Sequence, residues 1–168
     1  TPVCFFSLYH KRMKPSAPRS RRRGTEIRLF PISNGMKWSI FKTYDIRGRY
    51  PEEVNARTVG KIAEALGVHF WRGRLVVGHD GRTSSPALSF AVKQGLKASK
   101  APLKIVDIGV ATTPLFYFFV NHLKAAGGIM VTASHNPIGM NGLKVVGKKA
   151  VPFGGVEIAR LMKRAHVR

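Results

Sequence analysis

Five short apolar runs, each separated from the next by a turn or an amphipathic segment, constrain this chain more than any other feature. "RLVVGHD" (74–80), "LKIVDIGV" (103–110) and "GGIMVTAS" (127–134) are close to continuously apolar, the pattern of strands buried on both faces. "FKTYDIRG" (41–48) reads as an earlier strand running into a glycine turn, and "GLKVVG" (142–147) as a returning strand. Between them lie helical patterns. "VNARTVGKIAEALGVHFW" places Val59, Ile62, Ala63, Leu66 and Phe70 on one face. "SSPALSFAVKQGLKAS" opens with Ser84 or Ser85 as a cap and Pro86 in its first turn, and "TTPLFYFFVNHL" repeats the Thr-cap-plus-proline signal despite its aromatic residues. A basic helix near "VEIARLMKRA" closes the series. Strand–helix alternation with apolar strands predicts a three-layer α/β/α domain around a mostly parallel mixed sheet. A length of 168 residues with 44% hydrophobic content is enough for one such core.

Residues 1–35 do not share the pattern. "KRMKPSAPRSRRRG" is rich in Arg, Pro and Ser, nearly lacks acids and has neither helical nor strand period, so this basic segment is predicted to be disordered. The chain does not begin with Met, and Met36 stands just ahead of the first patterned segment. Upstream sequence before a start at Met36, a transit peptide and a nucleic-acid-binding arm all fit that composition. Residues 36–168 form the predicted domain.

Charge narrows the partners without choosing among them. The 29 Lys and Arg against 8 Asp and Glu give +21, which favours nucleic acid, an anionic surface or phosphorylated small molecules. Residues 1–35 hold 8 of the basic and 1 of the acidic residues, so the remainder keeps 21 against 7, an excess that phosphate chemistry alone does not require. A nucleic-acid partner stays open on charge, although residues 36–168 show no aromatic RNA platform or zinc ligands. The single Cys4 rules out an intrachain disulfide and points to a reducing, cytoplasmic location. The longest apolar stretch, "PLFYFFV", is far short of the roughly 20 residues needed for a membrane span.

The loop after "GGIMVTAS" is where chemistry is expected. In open α/β sheets ligands bind beyond the carboxyl ends of strands, which places Ser134 at that edge, followed by His135, turns at Asn-Pro and Asn-Gly, and the cation Lys144. A phosphorylated serine carries nearly two negative charges and needs donors and cations close by. On the residues alone, Ser134 could equally cap a turn and His135 be a solvated loop histidine. Sequence neighbours point in different directions, and no orienting acid is identifiable, so a Ser-His-Asp hydrolase is poorly supported. Arg82, in "GHDGR", reads as structural through pairing with Asp80.

"TASHNP", followed by "NG" and "LK", resembles the phosphoserine loop of the α-D-phosphohexomutases, the phosphomannomutase and phosphoglucomutase family. "FKTYDIRG", "VVGHDGRTSSPAL" and "DIGVATTPLFYF" resemble further segments of the family's first domain in the same order, from about residue 38 to the end. The resemblance implies that Ser134 exchanges a phosphoryl group with a hexose phosphate, mannose or glucose phosphate on the wording of the loop, through a sugar 1,6-bisphosphate. It further implies catalytic roles for Ser134, His135, Lys144 and Arg47, with Tyr44, Arg47 and Lys144 close to substrate. The implied metal is Mg2+, held by the phosphate on Ser134 and by an aspartate-rich loop of a second domain that this sequence does not contain. Three further domains complete the family's enzyme, so the chain reads as a truncated phosphoserine domain without turnover of its own. A noncatalytic relic that keeps the fold is the other reading of the same resemblance.

Overall fold

The computed structural model describes residues 36–166. The predicted disordered segment, residues 1–35, lies outside them. A short 3-10 turn, Trp38–Ile40, leads to β1 (Ile46–Arg49) and α1 (Ala56–Phe70); then follow β2 (Gly73–His79), α2 (Ser85–Ala98), β3 (Leu103–Val110), α3 (Thr113–His122), β4 (Gly127–Val131), β5 (Met140–Gly147), β6 (Pro152–Phe153) and α4 (Gly155–His166).

The strands form one mixed sheet in the order β1-β5-β4-β2-β3, with β6 added to β5. β2 pairs in parallel with both β3 and β4, while β5 runs antiparallel to β1, β4 and β6. The expected parallel character therefore belongs to the β4-β2-β3 part, and the short connection from β4 to β5 turns the rest of the sheet antiparallel. The layers follow from the period of two along each strand. Leu75 and Val77 of β2, Ile129 and Val131 of β4, and Leu143 and Val145 of β5 pack with α1, α2 and α4 residues such as Ile62, Leu66, Leu88, Val92 and Ile158. Val76, Met130 and Val146 face the other way, onto Phe116 and Val120 of α3. The strands read as continuous apolar runs because each face has its own helical cover.

Local signals explain the helix starts. Asn55 caps α1 by accepting from the Thr58 amide at 3.0 Å, and Thr112 caps α3 by accepting from the Leu115 amide at 3.4 Å. Val59, Ile62, Ala63 and Leu66 are fully buried on α1, and Phe70 is packed at the edge of the same core. Ser84 is the residue before α2 but makes no side-chain cap. The Ser85 hydroxyl instead donates to Asp80 Oδ1 at 2.5 Å. α1 and α2 approach so closely that a Cβ on Gly95 would lie 2.1 Å from the Gly60 carbonyl oxygen, so a side chain there would force the helices apart.

Two local expectations differ from the structure. Residues 41–48 are not one strand: Phe41 forms a single bridge to Ile46, and the Lys42 amide donates to Asp45 O at 2.8 Å, closing a two-residue hairpin with Thr43 and Tyr44 at its tip. Tyr44 is thus 78% exposed rather than set in a strand. The Asn141-Gly142 pair is not a turn either but lies inside β5, and the reversal falls earlier, at Gly139 with φ +91°. The buried Asn141 amide donates to Ser84 Oγ at 2.8 Å and Ser85 Oγ at 3.0 Å, tying β5 to the start of α2. At Gly142 a Cβ would stand 1.8 Å from Ile46 O, so β1 pairs here only with glycine.

Candidate active site

Strand β4 is buried at every residue from Gly127 to Val131 and ends where the chain leaves the core. Thr132 and Ala133 are still buried, whereas Ser134 and His135 are exposed on a turn closed by the Asn136 amide donating to Ala133 O at 3.0 Å. Ser134 has φ +52°, a left-handed conformation that costs a non-glycine residue about 1 kcal/mol or more. Its amide donates to Thr132 Oγ1 at 2.8 Å, so the strained turn is held from inside by the preceding threonine.

Arg47 reaches this turn from β1, 87 positions away in sequence. Its Nη2 donates to Ser134 Oγ at 2.9 Å, and its Nη1 donates to Thr132 O. The side chain is nearly buried, a state a guanidinium tolerates only when paired. Asp45 supplies the partner, accepting from Arg47 Nε at 3.0 Å. The same carboxylate lies 3.6 Å from Lys144 Nζ. Two cations thus share one anion beside Ser134, leaving net positive charge that would attract an anion. Tyr117 of α3 stands on this side of the sheet; burial pushes its phenol up, and the negative field of Asp45 adds to the shift.

A second cluster shapes the loop. Arg82 donates to four of its carbonyl oxygens: Asn136 O at 2.5 Å, Pro137 O at 2.9 Å, Ser134 O at 3.2 Å and Met140 O at 3.3 Å. Asp80 pairs with Arg82 Nε at 3.3 Å and also accepts from the Ala133 amide at 3.3 Å. Burial opposes the charge on Asp80, but hydrogen bonds from Ser85, Thr132, Arg82 and Ala133 outweigh it and hold the carboxyl below its ordinary range. The expected pairing of Arg82 with Asp80 is therefore present, and Arg82 additionally braces the whole serine loop. Sequence reading missed that brace, as it missed Asp45 and Tyr117; the only available signal was the position of "GHDGR" at the end of a strand parallel to β4.

The expected site residues separate into two groups. Ser134, Arg47 and Lys144 are joined through direct contacts or through Asp45. Tyr44 is adjacent to Asp45 on the hairpin tip, exposed, and His135 is exposed with no partner for its ring among the described residues. Magnesium asks for six hard oxygen donors. Ser134 offers one, the nearby carboxylates Asp45 and Asp80 are committed to cations and backbone amides, and no group of three or more His, Cys, Asp or Glu residues that could hold a metal occurs among the described residues. The described residues do not by themselves fit a magnesium centre. No helix among them is long and apolar enough to cross a membrane.

Comparison with known proteins identifies the family of the chain. The family profile described as phosphoglucomutase/phosphomannomutase, alpha/beta/alpha domain I, matches residues 39–166. A protein of Xanthomonas campestris pv. campestris strain B100 named "Phosphohexose mutases" is 50% identical over 118 residues, covering 70% of this chain and 26% of that protein. A phosphomannomutase of Klebsiella pneumoniae is 44% identical over 117 residues, 70% of this chain and 73% of the relative. A solved structure of a phosphoglucomutase/phosphomannomutase family protein from Burkholderia thailandensis superposes with a TM-score of 0.67 at 35% identity, over 77% of this chain and 30% of that one. The chain spans about a quarter of the length of the Xanthomonas relative. With its three-layer fold and its arginine-braced serine turn, the chain belongs to the phosphoglucomutase/phosphomannomutase family and corresponds to that family's first α/β/α domain.

Proposed function

We propose that Ser134 is the phosphoryl carrier of a phosphohexomutase, and that this domain serves the interconversion of hexose 1-phosphate and hexose 6-phosphate. The observation that carries the reading is Arg47 Nη2 at 2.9 Å from Ser134 Oγ, on a left-handed turn beyond the carboxyl end of β4. A weak nucleophile held in a strained conformation beside a paired guanidinium is an arrangement that packing alone does not require.

In the proposed step a sugar hydroxyl oxygen attacks the phosphorus on Ser134. The bond from phosphorus to Oγ breaks with its electron pair returning to Oγ, and the hydroxyl proton replaces the lost phosphoryl group there, with His135 as the carrier on this chain. Such transfer depends on alignment and charge stabilisation more than on covalent chemistry. Arg47 and Lys144 meet the charge of the moving group, and Asp45 keeps both in place. Tyr44, at the tip of its hairpin, makes contact with the sugar. The product is a sugar 1,6-bisphosphate, which returns its other phosphate to Ser134 after reorienting. Mannose or glucose phosphate is the proposed substrate, and its recognition draws on more protein than this domain.

Phosphosite mapping of the protein isolated from its native source tests the reading. Trypsin releases residues 125–144 as one peptide in which Thr132 and Ser134 are the only hydroxyl residues. Phosphate on Ser134 is the expected result; an unmodified peptide, or phosphate on Thr132 alone, refutes it.

A further inference from the structure

A cavity of 660 Å³ opens at the opposite edge of the sheet from Ser134, where β2 and β4 begin and β5 ends. Seven residues of β2 separate the two edges, roughly 20 Å at the rise of an extended strand. Four cations line the cavity, Arg72, Arg74, Lys124 and Lys148, and no carboxylate does. None of the four is ion-paired among the described residues. Arg74 is fixed in place by donating to Leu123 O at 2.9 Å.

The indole of Trp71, 53% exposed, belongs to the same wall. Trp71 follows α1 with φ +57°, and Lys124 follows α3 with φ +48°. Glycine is the ordinary residue at such positions because it adopts them without strain. A bulky indole and a lysine instead occupy two strained positions that line one cavity. Gly73, with φ +104°, and Ala126 add no large side chain to the lining. Like charges crowded without counterions repel, and an anion with several negative charges relieves that repulsion.

We propose that this cavity binds a nucleoside polyphosphate, its base stacked on Trp71 and its phosphates spread over Arg72, Arg74, Lys124 and Lys148. The rings of His69 and Phe70, which also line the cavity, pack on each other and on Phe153, which leaves the Trp71 indole as the platform for one base; a nucleic-acid strand is tracked by several in succession. Four cations match the three to four negative charges of a nucleoside di- or triphosphate. The site is separate from Ser134, and neither reading depends on the other.

The experiment uses the 168-residue chain carrying Trp38→Phe, which leaves Trp71 as the sole tryptophan. ATP without added metal is titrated against its fluorescence, with calorimetry for variants that lack the indole. The expected result is saturable quenching at one site. Lys124→Ala and Lys148→Ala each weaken ATP binding by about fivefold or more, and Trp71→Leu removes the preference for ATP over tripolyphosphate. Lys97→Ala, a substitution at an exposed position on α2, leaves affinity unchanged. Circular dichroism identifies folded variants, and either lysine variant suffices if the other misfolds. Absence of saturable binding at millimolar ATP overturns the proposal. So do equal affinities of the unsubstituted site for ATP and tripolyphosphate, an equal loss with Lys97→Ala, or displacement of ATP by a lower concentration of oligothymidylate sites.

Discussion

Replacing Arg82 by alanine removes the one side chain that holds the serine loop at four carbonyl oxygens. The Arg82 side chain is 22% exposed, so part of its hydrogen bonding is recovered by water after truncation. The contacts to Asn136 O and Met140 O are the half-buried ones. Hydrogen bonds from a charged donor contribute about 1.5–3 kcal/mol each when lost in such a setting, whereas the ion pair with Asp80 adds at most about 1 kcal/mol. Counting the two half-buried bonds and discounting for solvent gives about 3 kcal/mol for the closed loop. At 1.4 kcal/mol per decade, the opening equilibrium rises on the order of 10²-fold. Amide hydrogen exchange reads this directly, because the Asn136 amide donates to Ala133 O and the Met140 amide to Pro137 O only while the loop is closed. Both amides are expected to exchange about 10²-fold faster in Arg82→Ala, while the Ile158 amide of α4, which opens by its own local route, keeps its rate. Arg82→Lys does not restore protection, since a point charge on a flexible stem cannot reach carbonyls arranged around a planar fork. A change below about threefold at Asn136 and Met140, or full rescue by lysine, refutes the brace.

Three further outcomes follow from the same contacts. Because the Asp80 carboxyl is held below its ordinary value of 3.8, its contribution to stability is fully present above that value and is lost as pH falls through the lower folded-state value; urea unfolding across that range shows the loss, and Asp80→Asn reduces the slope. Gly142→Ala drives a Cβ into Ile46 O and is expected to cost at least about 3 kcal/mol in a urea midpoint, the upper end for overpacking, because the obstacle is backbone and cannot rotate away. Ser134→Gly and Ser134→Ala both lose the bond to Arg47, yet glycine relieves the positive φ, so the glycine variant is expected to be the more stable by about 1 kcal/mol; the reverse order refutes strain at this turn.

Much of the architecture was legible in the order of apolar runs and caps. Thr112 caps α3 where the Thr-Pro signal predicts, and the two-faced burial of β2 and β4 follows from runs that do not alternate. The errors were local and share a cause. Asn-Gly usually marks a turn because glycine adopts left-handed conformations, but at 141–142 the glycine serves the close approach of β1 and the asparagine is a buried tie to α2. Tyr44 looked like a strand residue because its neighbours are β-formers, whereas a backbone bond between Lys42 and Asp45 folds it out onto a hairpin tip.

The sequence by itself determined which residues could do chemistry: a serine and a histidine placed just past a buried strand, and basic residues far outnumbering acids. Only the tertiary structure decided which of them meet. β5 returns antiparallel to β4 and carries β1 with it, which delivers Arg47 across 87 positions to Ser134 and sets Asp45 between Arg47 and Lys144. The same chain reversal and strand order gather Trp71, Arg72, Arg74, Lys124 and Lys148 at the far edge of the sheet. Local composition fixes what each segment can form, because caps and burial periods act over a few residues. Which segments become neighbours depends on how the whole apolar surface is covered, and that is a property of the packed chain.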